Sequence, residues 1–246
     1  VGEGVQPVWS PDSQRIAFLN GRSLWIADLV SGQIRQRVAE HNDIEMHITE
    51  FAWSPDGTQI AYTYNYGMYQ RVPGIWLVRT DDETPPRQLL SQAFPIYGVQ
   101  WLLDGQEIFF LSQEGGRDTS SYHSVQNLWS VSVTMGDRRQ LTEEMMVDNY
   151  ILSPNGRWLF ITGYHLYERS EENYARDLWL FSLDARELRR ITFNLGSVGA
   201  VGWSPDGTRL AVGRRDAVPL LLSLETGTMA VINAGRGYDF ALGDLK

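Results

Sequence analysis

The stretch Trp53-Ser54-Pro55-Asp56-Gly57 decides the fold, because the chain writes it more than once. It returns as Trp203-Ser204-Pro205-Asp206-Gly207 and, without the glycine, as Trp9-Ser10-Pro11-Asp12. Two looser copies fill the interval, Trp101-Leu102-Leu103-Asp104 and Leu152-Ser153-Pro154-Asn155. Successive copies therefore begin 44, 48, 51 and 51 residues apart. A period of this length marks one supersecondary unit copied along the chain. The tetrad itself is a tight turn: Pro presets φ, Asp bonds the backbone ahead, and Gly accepts positive φ.

Working outward from the second copy, Thr49–Trp53 and Gln59–Tyr64 are β-prone runs on either side of the turn. Ile75–Val78, carrying Trp76, and Arg87–Leu90 complete a unit of four strands. The other copies match. Second strands are expected at Arg15–Leu19, Glu107–Leu111, Trp158–Thr162 and Arg209–Gly213, and third strands at Leu24–Leu29, Leu128–Val133, Leu178–Leu183 and Leu220–Leu224. Fourth strands are expected at Ile34–Val38, Arg138–Leu141, Leu188–Ile191 and Met229–Ile232. The repeats span about 5–40, 47–91, 97–142, 148–193 and 198–233, leaving 234–246 as a tail, a closing or extra inner strand.

A four-stranded unit has two apolar faces and cannot bury both alone. Stacking the units around an axis solves this, so the expectation is an all-β fold, a β-propeller of four-stranded antiparallel blades in one domain. The head Trp and the third-strand Trp of each repeat are the expected fillers between blades. Where Leu152 and Leu220 replace them, packing should be looser or compensated. Five blades are counted. An incomplete six-bladed ring is the alternative, because Tyr238–Asp244 aligns with Glu50–Asp56.

The order strand, Ser-Pro-Asp-Gly, strand, Leu178-Trp179 strand, Arg190-Ile191-Thr192 strand resembles the TolB-type β-propeller repeat. The same repeat occurs in the propellers of tricorn-like and prolyl-oligopeptidase-like proteases. The resemblance covers roughly residues 5 to 233. It implies the fold strongly and function weakly, since these motifs are turns and packing residues. It implies a scaffold that binds proteins or sits beside a catalytic domain without doing chemistry, and a periplasmic or extracellular setting. Members usually have six or more blades; five are counted here.

Composition narrows the rest. With 21 basic and 30 acidic residues the 246-residue chain carries a net charge of −9, and no dense basic run offers a phosphate-backbone site, so no nucleic-acid partner is expected. There is no cysteine, which excludes disulfides, thiolate zinc sites and a thiol nucleophile. No apolar run reaches the roughly 18 residues a membrane span needs, so no membrane insertion is expected. The start at Val1, without Met or a signal peptide, reads as an excised domain of a larger protein, expected to be monomeric.

The loops joining second and third strands are minimal in the first repeat and long in the middle three, at residues 65–74, 112–127 and 163–177. They are rich in amphipathic aromatics and arginine: Tyr66, Tyr69 and Arg71, then Tyr122 and His123, then Tyr164, His165, Tyr167 and Tyr174, with Arg117, Arg169 and Arg176 among them. Tyr62 and Tyr64 lie just below in a second strand. Tyr and Arg are enriched where proteins meet partners. The expectation is a face that binds a protein or peptide, with packing of the loops' own aromatics as the bland alternative and a purely structural module as another.

No catalytic residues, cofactor or metal site are expected. His41, His47, His123 and His165 share that face, and the stretch 41–47 has ligand-type residues, but there is no HExxH motif. Asp81-Asp82-Glu83 lacks the spacing of a calcium loop. There is no Gly-x-Ser-x-Gly elbow, P-loop or dinucleotide fingerprint. A small-molecule or carbohydrate-binding or -cleaving propeller remains an alternative, with carboxylates at the channel mouth drawn from Glu50, Asp148 and Asp239. On these grounds the protein is expected not to be an enzyme.

Overall fold

A computed structural model describes residues 4–39, 46–66, 74–92, 94–113, 125–165, 176–192, 198–214, 217–224, 228–233 and 237–239. Among them are strands and turns and no helix. Sheet 1 is β1 (Val5–Trp9), β2 (Arg15–Asn20), β3 (Ser23–Asp28) and β4 (Ile34–Val38). Sheet 2 is β5 (Met46–Trp53), β6 (Gln59–Tyr66), β7 (Gly74–Arg79) and β8 (Arg87–Ser91). Sheet 3 is β9 (Ile96–Trp101), β10 (Glu107–Ser112), β11 (Asn127–Ser132) and β12 (Arg138–Gln140). Sheet 4 is β13 (Met145–Leu152), β14 (Trp158–His165), β15 (Asp177–Ser182) and β16 (Glu187–Arg190). Sheet 5 is β17 (Val198–Trp203), β18 (Arg209–Arg214), β19 (Ala217–Ser223), β20 (Thr228–Asn233) and β21 (Gly237–Asp239).

Every sheet runs in chain order with antiparallel neighbours, as consecutive hairpins require. This is the all-β, four-stranded blade architecture that the repeats imply. β21 adds to β20, beyond the fourth strand, at the opposite end of sheet 5 from β17. The sheets fall into two compact units. One holds sheets 1 to 3, from residues 1–117 and 127–141; the other holds sheets 4 and 5, from residues 118–126 and 142–246.

Where the tetrad keeps its Ser, it does the same work each time. The Ser hydroxyl accepts the backbone N–H five residues on: Ser10 from Arg15 and Ser54 from Gln59, both at 2.9 Å, Ser153 from Trp158 at 3.0 Å and Ser204 from Arg209 at 2.9 Å. The Asp carboxylate accepts the N–H two residues on, Asp56 from Thr58 at 3.0 Å and Asp206 from Thr208 at 2.9 Å. Gly57 and Gly207 hold φ near +70°, at 70° and 69°. In the first repeat Ser13 takes that conformation instead, at φ 58°.

Packing between blades also repeats. The indole N–H of Trp53 donates to the Val8 carbonyl at 3.2 Å, Trp101 to Ala52 at 3.1 Å and Trp203 to Ile151 at 3.3 Å. Each acceptor immediately precedes the head residue of the neighbouring blade, so one bond sets the stacking register. Sheet 2 shows the alternation that this needs. Ile60, Tyr62 and Tyr64 join the cluster shared with sheet 1, whereas Ala61, Ile75 and Leu77 join the cluster shared with sheet 3. In the second unit Phe160 and Leu178 pack with Leu210, Val212, Leu220 and Leu222. Leu152 and Leu220, the two replacements for Trp, are buried. Trp9 departs from its expected role as a filler: it is 57% exposed.

Candidate functional site

Each sheet carries a β-bulge between its first two strands, and bulges re-aim side chains. In sheet 4 the register slips between Val147 and Asn149, which leaves Asp148 as the extra residue. Asp148 accepts from the Arg176 guanidinium through Nε at 2.5 Å and Nη2 at 3.3 Å. That bond, above all, raises the Arg176 pKa, and Tyr164 adds a smaller contribution to the same rise. Asp148, Tyr164 and Arg176 are thus brought together at the loop end of sheet 4. Glu50, at the equivalent bulge of sheet 2, accepts the Val99 N–H at 3.2 Å.

The expected loop residues divide as follows. Tyr66 is the last residue of β6, and Tyr164 and His165 are the last two of β14. Tyr69, Arg71, Tyr122, His123, Tyr167 and Tyr174 lie outside the described residues. Of the carboxylates considered for an axial site, Glu50 accepts a backbone N–H, Asp148 pairs with Arg176, and Asp239 lies on β21. Among the described residues no three His, Asp or Glu side chains are placed to hold a metal ion.

Just below the loop end of sheet 2, an aromatic wall lines a cleft of about 280 Å³. Tyr62 and Tyr64 meet edge to face with ring centroids 5.4 Å apart, and Tyr64 and Trp76 do so at 6.3 Å. Burial, reinforced by Tyr64, pushes the Tyr62 phenol far above its ordinary pKa, so it stays a neutral hydrogen-bonding group. The sequence placed Tyr62 and Tyr64 beneath the loops. It did not pair them with Trp76, which the register of β6 against β7 sets opposite Tyr62. A Tyr-x-Tyr run in a second strand facing a Leu-Trp or Ile-Trp third strand is the signal that could have found the wall.

Comparison with known proteins gives the fold a context. No protein family matches the chain by sequence profile. An uncharacterized peptidase of Bacillus subtilis, YuxL, is 27% identical over 182 residues, covering 72% of this chain; the chain spans only 24% of that relative. A TolB from Agrobacterium tumefaciens superposes with a TM-score of 0.60 at 19% identity, over 94% of this chain and 80% of the other. An oligogalacturonate lyase in complex with manganese gives 0.69 at 14% identity, over 91% and 62%. A prolyl endopeptidase gives 0.67 at 11% identity, over 93% and 39%.

These findings correct the expectation that the protein is not an enzyme. The sequence relative is named a peptidase, and the fold neighbours include a lyase and a prolyl endopeptidase. The missing serine elbow excludes one nucleophile geometry within these residues. It does not exclude an enzymatic role for a propeller. The fold of this chain is that of the TolB-like β-propellers.

Proposed function

We propose that this propeller serves a peptidase, holding extended peptide at the loop end of its blades. The observation that carries the reading is the 27% identity over 182 residues with a protein named a peptidase. The chemistry of the loop end supports it. Tyr66, Tyr69, Tyr122, Tyr164, Tyr167 and Tyr174 supply amphipathic rings, with Arg71, His123 and His165 among them, and such side chains grip peptide backbone and side chains together. The Asp148–Arg176 pair beside Tyr164 adds charged groups at the loop end of sheet 4. In this reading the propeller binds and orients substrate.

The test is a digestion. The purified full-length protein is incubated with a tryptic peptide mixture, and mass spectrometry follows the peptides over time. The reading expects time-dependent cleavage of a subset of them. Recovery of every peptide intact contradicts it.

A further inference from the structure

Two kinds of face meet where sheets 1, 2 and 3 stack, and cross-strand register defines both. On sheet 2 the head residue begins a column of directly opposed residues, Trp53, Ile60 and Val78. This column packs on one of sheet 1 made of Val8, Ala17 and Ile26, and Ala17 and Ile26 share a buried cluster with it. The next pair repeats the arrangement. Trp101, Ile108 and Val131 of sheet 3 pack on Ala52, Ala61 and Leu77 of sheet 2. One face thus presents an indole. The other presents an alanine beside the carbonyl that accepts the indole N–H, at Val8 and at Ala52.

The chain carries one further face of each kind, and both are open. By the same register Trp9, Ile16, Ala27 and Ile34 form the indole column of sheet 1. Trp53 and Trp101 are 7% and 5% exposed, whereas Trp9 is 57% and Ile34 61% exposed. On sheet 5, Gly202, Ala211, Leu221 and Ala230 form the alanine column. Ala211 follows its head Trp203 by the same eight residues that separate Ala17 from Trp9 and Ala61 from Trp53. Gly202, the residue before Trp203, holds the position of the accepting carbonyl. Gly202 and Ala211 are both exposed, and a Cβ added to Gly202 would meet nothing within 4 Å.

We propose that copies of this chain associate head to tail, sheet 1 of one copy on sheet 5 of a second, in the way sheet 2 stacks on sheet 1. Trp9 enters beside Ala211 of the second copy, and its indole N–H donates to the Gly202 carbonyl there. The faces themselves name the occupant. Each is half of an interface that this chain builds twice among sheets 1 to 3, and the complement of each is exposed on the same chain. Burial of two apolar columns drives the association, and the indole bond fixes its register. Because the two faces differ, the interface is heterologous and gives a ring or an open chain of copies. The proposal stands whether or not the protein serves a peptidase.

The test is sedimentation velocity on the 246-residue protein between about 1 and about 100 μM, as the wild type and as the variants Trp9→Arg and Ala211→Arg. The average mass of the wild type is expected to at least double across that range. Each variant keeps one intact face and is expected to stay at the mass of a single chain. Mixed in equal amounts, the two variants are expected to form a heavier species, because the sheet 5 face of Trp9→Arg receives the sheet 1 face of Ala211→Arg. Neither misfolding nor a pairing of like faces gives that rescue. Both residues are exposed, and unchanged melting curves check that the variants fold. A wild type that remains a single chain at about 100 μM, the monomer expected from the sequence, overturns the proposal. So does association that Ala211→Arg leaves intact, or a mixture of the variants that stays at the mass of a single chain.

Discussion

Ser13 occupies the position that Gly57 and Gly207 hold in their repeats, with φ at 58° against their 70° and 69°. An L residue in that region is strained by about 1 kcal/mol, and Gly is not. Ser13→Gly should therefore stabilise the protein by up to about 1 kcal/mol, and Gly57→Ser should destabilise it by at least as much. A Cβ on Gly57 would also sit 3.0 Å from the Arg15 guanidinium. Urea denaturation of the two variants checks both signs. The turn carboxylates add a pH term. Asp206 is lowered from 3.8 to about 2, chiefly by the Ser204 hydroxyl and then by the Thr208 N–H, and Asp12 and Asp56 are lowered by the same kind of bonds. A depressed carboxyl stabilises the fold above its unfolded pKa and loses that contribution as pH falls through its folded one. Melting temperature should drop as pH falls from about 4 to about 2. Asp206→Asn, which copies the natural Asn155 of the fourth repeat, should flatten that drop, as thermal melts across this range would show.

At the scale of the blade, the head Trp is judged by what it meets. Trp53 is 7% exposed and bonds Val8 of the neighbouring sheet, whereas Trp9 is 57% exposed. Trp53→Ala should cost about 3–5 kcal/mol and Trp9→Ala under about 1, measured by chemical denaturation. The Arg-Ile-Thr motif of the fourth strand has a similar logic. Arg190 stacks over Trp179 at 5.4 Å, pairs with the buried Asp177 and donates to the Thr192 carbonyl at 3.1 Å. Asp177→Ala leaves that guanidinium without its counter-charge and should cost about 3–5 kcal/mol, with the same measurement as its check. Blades were legible in the sequence because turn and strand chemistry repeat locally. Ile34–Val38 matches β4 residue for residue, and the other expected strands of this kind lie within a few residues of those observed. Trp9 was misjudged because periodicity marks a position in the repeat and not its exposure. The Tyr62–Trp76 wall was not legible, because it arises from cross-strand register.

For the whole molecule, the repeats fixed architecture and left activity open, because Ser-Pro-Asp-Gly turns and packing tryptophans are indifferent to chemistry. The Asp148–Arg176 contact joins two residues 28 positions apart through a bulge, and neither spacing nor composition foretells it. The enzymatic connection came from similarity to a peptidase, not from any nucleophile motif in this chain. The most direct test of the account is steady-state peptide hydrolysis by the full-length protein, compared with its Tyr164→Ala variant. If the loop end binds substrate, KM should rise about tenfold with kcat nearly unchanged, the pattern of lost uniform binding. Absence of peptide hydrolysis in the wild type, or kinetic constants that Tyr164→Ala does not move, would contradict it.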